Sequence, residues 1–244
     1  TKLLLSYIPS NNLSDAFEYE TADDLNRPCS ILDNMDLVSD VRVVIAEIAD
    51  DKAYFEVQAD YAEEASIGFV RINGSVVGVV ATSGDEISSR AAQKMERFVR
   101  FCDAFNIPLV TLVDVPGFLC GTQQEYGGII SHGAKLLYAY GEATVPKVTV
   151  TLRKSYGGAH ITMSCKQLRG DINYAWPSAN IAVMGAEGAV EILYSKEITS
   201  IEDPALRQKL AEDRKQEYND LFCNPYNAAG YGYIDDVIEP RNTR

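Results

Sequence analysis

A chain of 244 residues, 46% apolar and 23% charged, can bury a substantial core without disulfide or metal staples, and it holds no run near the roughly 18 apolar residues of a membrane span. Its formal net charge of -13 argues against nucleic acid as a partner, because phosphate binding needs a basic surface. An anionic ligand must therefore find a local positive field.

The opening "TKLLLSYIPSNN" has three leucines but no longer apolar region ending in a small-residue cleavage site, so it does not read as a signal peptide. The expected location is the cytoplasm, or the mitochondrial matrix in a eukaryote. Residues 1–40 are polar and irregular, with "DDLNRP" and "ILDNMD" as turn-rich stretches around a short helix. "VRVVIAEIAD" (41–50) is rich in apolar residues, and "AYFEVQADYAEEA" (53–65) reads as a connector of helical or mixed character. In "IGFVRINGSVVGVVATS" (67–83), Asn73-Gly74 between two β-branched runs predicts a hairpin with a type I′ turn.

Met95, Phe98, Val99, Cys102 and Phe105 share one helical face, and that helix is expected to end near Asn106, before Pro108. "PLVTLVDV" (108–115) is continuously apolar, as a parallel strand covered on both faces would be. After "PGFLCGTQQEYGG", the spacing of Ile130, Ala134, Leu137 and Tyr140 predicts a helix buried along that stripe. A second buried strand, "KVTVTL" (147–152), runs into "RKSYGGAHITMS", in which a further helix begins. "ANIAVMGAEGAVEILY" (179–194) repeats strand, glycine turn and helix, and residues 204–222 form a charged helix with Leu206, Leu210, Tyr218 and Leu221 as sparse apolar positions. Three β-turn-α units behind a hairpin give an α/β fold.

The candidate chemistry lies in the glycine turns after strands expected to end at Asp114, Leu152 and Met184. A helix start carries unpaired N–H groups and positive potential, so Gly158 and Ala159, bare or nearly so at Cβ, could offer amides to an oxyanion. The competing role is a turn that needs only positive φ or close helix-sheet packing. "GGAHIT" is neither GxGxxG nor a phosphate loop. Ser155 has no GxSxG setting, and Asp114 before Pro116 suits a capping or turn role as well as an active one. His132 and His160 form no HxxxH or HExxH pair. Cys29, Cys102, Cys120, Cys165 and Cys223 are odd in number and widely spaced, against a zinc ribbon or a disulfide framework and in favour of core or surface thiols.

The stretch "RFVRFCDAFNIPLVTLVDVPGFLCGTQQEYGGIISHGAKLLYAYGEATVPKVTVTLRKSYGGAHITMSCKQLRGDINYAWPSANIAVMGAEGAVEIL" closely resembles the C-terminal half of the carboxyltransferase (beta) subunit of biotin-dependent acyl-CoA carboxylases, propionyl-CoA carboxylase type. The likeness runs from about Leu3 to "GYIDDVIEPRNTR". It implies a crotonase/ClpP-like ββα superhelix, and residues 1–244 as a single biotin-side domain of a subunit twice as long. The active site would lie between this half and the acyl-CoA-binding N-terminal half of a partner subunit, so the chain alone would be catalytically incomplete.

Carried over residue by residue, the resemblance assigns the Gly158 and Ala159 amides to the ureido carbonyl of biotin, and an opposing donor to Gly117 or Phe118. Tyr156, Gly157, Gly121, Thr122 and Ile161 would line the substrate site, Ile161 where acyl preference is set, with packing of its helix as the alternative. The implied reaction begins with carbon dioxide leaving carboxybiotin. The biotin enolate held by these amides then takes the α-proton of the acyl-CoA, which accounts for the lack of a histidine or carboxylate base. Biotin on a carrier, acyl-CoA as substrate, a biotin carboxylase, a biotin carrier subunit, the N-terminal half and a homo-oligomer (dimer or hexamer) are the implied cofactor, substrate and partners. Biotin-dependent decarboxylases acting on glutaconyl- or methylmalonyl-CoA share the motif, and an assembly module without turnover is the non-enzymatic alternative. Three positions depart from the family pattern: Cys120 for proline, His160 for tyrosine and Asn180 for glutamate.

Overall fold

The structure, a computed structural model, describes residues 1–34 and 38–244. Met35 and Asp36 of the turn-rich "ILDNMD" lie outside the described residues; the stretch before them holds a 3-10 turn at Ser30–Asp33. In chain order the elements are α1 (Lys2–Leu5), α2 (Val41–Ile48), β1 (Phe55–Val57), β2 (Ala65–Ile72), β3 (Ser75–Thr82), α3 (Ser89–Ala104) and β4 (Leu109–Val115). There follow α4 (Thr122–Tyr126), α5 (Ile129–Glu142), β5 (Lys147–Tyr156), α6 (Gly157–Thr162), β6 (Ile172–Ala175) and β7 (Asn180–Ala182). The chain closes with α7 (Ala186–Leu193), α8 (Ser195–Thr199), α9 (Pro204–Phe222), α10 (Pro225–Gly230) and β8 (Asp236–Val237).

The predicted hairpin starts the sheet. Asn73 and Gly74 adopt φ of 52° and 79°, the left-handed pair that a type I′ turn requires. The Asp50 carboxylate accepts their amides at 3.0 and 2.7 Å, and Arg244 holds that carboxylate from the other side. From there the order is β1-β2-β3-β4-β5-β6-β8, antiparallel through β3 and parallel beyond it. β5 is long enough to pair with β6 along Val148–Thr151 and with β7 along Lys154–Tyr156.

β3 and β4 are buried on both faces, as their unbroken apolar runs demand. One core packs α3 and α5 against Phe69, Val80, Leu109 and Val113. The other packs α2 with Leu32 and Trp176 against Val79, Ala81, Leu112 and Val150. Burial on both faces makes this sheet a rigid platform for the loops at its strand ends.

Three readings need correction. The 53–65 connector contains no helix: Phe55–Val57 pair with Phe69 and its neighbours as β1, and the loop after them is held from outside its own sequence. The buried stripe of α5 is Ile129, Gly133, Leu136, Ala139 and Tyr140. Of the four residues expected there only Tyr140 is buried, Ile130 being 74% exposed, because Gly133 faces the helix onto the Phe118 ring, where a Cβ would lie 3.1 Å from the ring. The strand expected to stop at Leu152 runs on to Tyr156, so the following turn lies four residues further along the sheet edge than periodicity suggests.

The loop after β1 is held by Lys94 of α3, whose buried ammonium donates to the carbonyls of Tyr61, Ala62 and Ala65 at 2.7, 3.3 and 2.6 Å. Replacing it would take the shared donor from these carbonyls, of which that of Ala62 keeps the Ala65 amide at 3.1 Å. Lys94→Met is expected to cost about 3 kcal/mol in denaturant unfolding, the range for buried polar groups left without partners; a loss under about 1 kcal/mol would show that the loop can turn those carbonyls to water.

Candidate active site

β4 and β5 end side by side, and a register shift sets their loops against each other. Val113 pairs with Thr151, but Val115 pairs with Ser155, so β5 bulges between those pairs. Asp114 fills the bulge. Its carboxylate, 2% exposed, takes the Arg153 guanidinium at 2.7 Å and the Lys154 amide at 3.0 Å, while its own amide donates to Thr82 at 2.9 Å. The capping or turn role read from "DVPG" is therefore replaced by a buried ion pair. Sequence gave no signal for this, since the partners lie 39 positions apart.

Beyond the bulge the chain turns into α6. Gly157 has φ +53° and a Cβ there would stand 2.8 Å from the Val183 carbonyl oxygen, so both conformation and space exclude a side chain. Tyr156 precedes the helix and no side chain caps it. In the first turn of a helix the amides have no partner within the helix, which applies here to Gly158 and Ala159. Gly158 is exposed and Ala159 is buried, its methyl holding the turn to the core. The Thr162 hydroxyl and the Met163 amide donate to the Ala159 carbonyl at 3.0 and 3.2 Å.

Across from this turn, the loop after β4 is pinned by a bridge between Phe118 and Ile87. The Gly117 carbonyl and the Leu119 amide bond Ile87 at 3.0 and 2.9 Å, so the Phe118 amide points away from that bridge, as parallel pairing dictates. The Phe118 ring stands 4.0 Å from where a Gly158 Cβ would be, and no heavy atom lies within 4 Å of a Cβ on Gly117. The structure thus brings Phe118 to Gly158 and leaves Gly117 open. Gly121 and Thr122 sit exposed at the outer end of the loop, the Gly121 carbonyl accepting from Gln124 and Glu125. Cys120 is exposed beside them, and the other four cysteines are buried.

Ile161 is 37% exposed on α6, so it is only partly committed to packing. Tyr156 packs against Gly185, and burial pushes its phenol up to about 12, helped by Cys223 and Glu187. The Ser155 hydroxyl and His160 Nδ1 are 2.9 Å apart. Burial pushes the His160 imidazole below its ordinary 6.5, so on acidification the unfolded chain takes up a proton that the folded ring refuses. Stability from the neutral ring is present above 6.5 and is lost as pH falls below it. The stability advantage of the wild type over His160→Asn is therefore expected to shrink between about pH 8 and about pH 5 in denaturant titrations; a difference constant across that range would contradict it.

The loops after β4 and β5 thus lie beside each other, with the Phe118 ring next to the exposed Gly158. The chain belongs to the carboxyl transferase domain family, whose model matches residues 1–244. It is 51% identical, over 99% of its length, to a propionyl-CoA carboxylase beta chain of Cereibacter sphaeroides, covering 48% of that protein. It is 48% identical, over 99% of its length, to a biotin-dependent acetyl-/propionyl-coenzyme A carboxylase beta5 subunit of Mycobacterium tuberculosis, covering 47% of it. The crystal structure of a transcarboxylase 12S hexamer with methylmalonyl-coenzyme A and methylmalonic acid bound superposes with a TM-score of 0.89 at 49% identity, covering 99% of this chain and 48% of that one. The fold is the crotonase-like class expected from the resemblance. The chain spans about half the length of the curated relatives it matches. Among the described residues no helix is long and apolar enough to cross a membrane.

Proposed function

We propose that this chain is a single biotin-side domain of a carboxyltransferase, which moves a carboxyl group between carboxybiotin on a carrier protein and the α-carbon of a short-chain acyl-CoA, propionyl-CoA favoured. The observation that supports the reading is the uncapped first turn of α6, with Gly158 exposed beside the Phe118 ring. The fit to biotin is chemical: a ureido carbonyl is an acceptor that two amides can share, and the open space at Gly117 beside the apolar Phe118 ring suits a small bicyclic ring. The biotin-dependent name of the mycobacterial relative supports the same cofactor.

In this reading Gly158 and Ala159 hold the carbonyl oxygen, and the Phe118 or Gly117 amide faces them. Phe118 also shuts water from one side, while Tyr156, Gly157, Gly121 and Thr122 border the cleft. Carboxybiotin, when bound, supplies both the carboxyl group and the base, so the protein need only stabilise negative charge on oxygen. The acyl-CoA is held by the N-terminal half of a partner subunit in a homo-oligomer, and a biotin carboxylase with its carrier subunit charges the biotin.

The test mixes the chain with an N-terminal carboxyltransferase half, a carboxylated biotin carrier and propionyl-CoA, and measures methylmalonyl-CoA. Product that requires this chain is expected; a stable complex without turnover would favour the assembly module instead. Ile161 gives a finer prediction. Ile161→Ala opens space beside the cleft and is expected to move the ratio of kcat/KM for butyryl-CoA over propionyl-CoA upward about tenfold, the worth of one methylene in an apolar pocket. An unchanged ratio would assign Ile161 to packing of α6.

A further inference from the structure

We propose that Ser155 and His160 form a clasp that positions the Gly158 and Ala159 amides, closing the turn that carries them without using either one. The inference rests on the reading of those amides as the biotin-facing donors.

The argument begins with what α6 lacks. It has 6 residues, too few to hold its shape alone. Short helices are ordinarily fixed by a Ser, Thr, Asp or Asn at the N-cap, whose oxygen accepts from the second or third helical amide. Here those amides belong to Gly158 and Ala159, so a capping side chain at Tyr156 would take the donors that the site needs. The N-cap is instead a tyrosine, with no side-chain cap bond.

The clasp supplies the missing restraint from one residue further out. Ser155 precedes the N-cap and His160 is the fourth helical residue, the two positions that an apolar pair joins in a hydrophobic staple. In this chain they are joined by a hydrogen bond, Oγ to Nδ1 at 2.9 Å. Ser155 is fully buried and fixed by pairing of its backbone position with Val115 on one side and Ile181 on the other. One end of the clasp is thus part of the sheet and the other is part of the helix. Between them lie Tyr156, Gly157, Gly158 and Ala159, with the left-handed φ of Gly157 in the middle. Without the bond, no side chain would join the strand before the turn to the helix after it, and the turn would rest on the buried Ala159 methyl and the bonds to the Ala159 carbonyl.

The experiment has two arms. In the first, 15N NMR of the protein reads the His160 ring and the Gly158 and Ala159 amides. Ser155→Ala is expected to shift the ring Nδ1 resonance and both amide resonances; a ring signal indifferent to Ser155 would overturn the clasp. In the second, carboxyl transfer to free biotin by the assembled enzyme is measured for Ser155→Ala, His160→Phe, the double variant and His160→Asn. Each of the first two is expected to lower kcat/KM about tenfold, because small displacements of a positioned donor cost that much. The double variant is expected to fall no further, since there is one bond to lose. Asn carries its amide oxygen where Nδ1 stood, so His160→Asn is expected to recover most of the loss. Additive losses, or a loss in His160→Asn equal to that in His160→Phe, would overturn the positioning role. A wild-type enzyme that transfers no carboxyl group, with the ring signal still dependent on Ser155, would sink the functional reading and leave the clasp standing.

Discussion

Gly158→Val is expected to lower carboxyl transfer at least about a hundredfold, the loss seen when an oxyanion donor is removed, with little change in unfolding. Both halves of that expectation come from the surroundings of one residue. A Cβ at Gly158 would meet only the Phe118 ring edge, at 4.0 Å, an ordinary contact, and its φ is not among the positive values. A valine is thus tolerated by the fold, since helix propensity does not favour glycine over it. In the proposed site its two methyls would stand beside the Phe118 ring, in the path by which the carbonyl oxygen would reach the amides. Gly158→Ala should fall between wild type and valine. A valine variant that transfers carboxyl groups at the wild-type rate, measured as methylmalonyl-CoA formed from carboxylated carrier, would remove Gly158 from the site. The contrast with Gly157 is sharp, since there the Val183 carbonyl and the left-handed φ make any side chain a folding defect.

The second large effect is expected at Asp114. Asp114→Ala should cost about 3 kcal/mol in denaturant unfolding, because it leaves the Arg153 guanidinium and the Lys154 amide without their acceptor in a buried bulge. It should also lower carboxyl transfer, since that bulge sets how far β5 extends past β4 and so where the α6 turn faces Phe118. Asp114→Ala combined with Arg153→Leu removes the stranded charge and is expected to regain part of the stability but little of the transfer. If the single variant keeps full stability, the pair is not what holds the bulge. If the double variant regains both, the carboxylate has no part in placing the turn.

Much of this molecule was legible in its residues, for identifiable reasons. The hairpin followed from Asn73-Gly74, whose backbone preferences act within two residues, and α9 from its charged helical pattern. The parallel strands followed from the apolar runs in β4 and β5, and α3 from its apolar face. The long likeness to biotin-dependent carboxyltransferase subunits supplied the fold, and the family match over residues 1–244 agrees with it. The α5 stripe was misplaced by one residue because hydrophobicity counted Ile130 as inward. Packing chose Gly133 instead, at a spot where a Cβ would press on the Phe118 ring at 3.1 Å.

What the sequence determined by itself is local: the turn, the strand runs, the helical faces and the glycines that leave Gly158 and Ala159 bare. Those depend on residues near each other in the chain, where backbone sterics and periodicity decide. Tertiary structure alone decided what surrounds those amides. The surroundings are the β5 bulge filled by Asp114 from another strand, the Val183 carbonyl near Gly157, and the Phe118 ring on a loop bridged to Ile87. Each is a contact between segments far apart in sequence, set by how two strands share a register, and no pattern within either strand encodes that register.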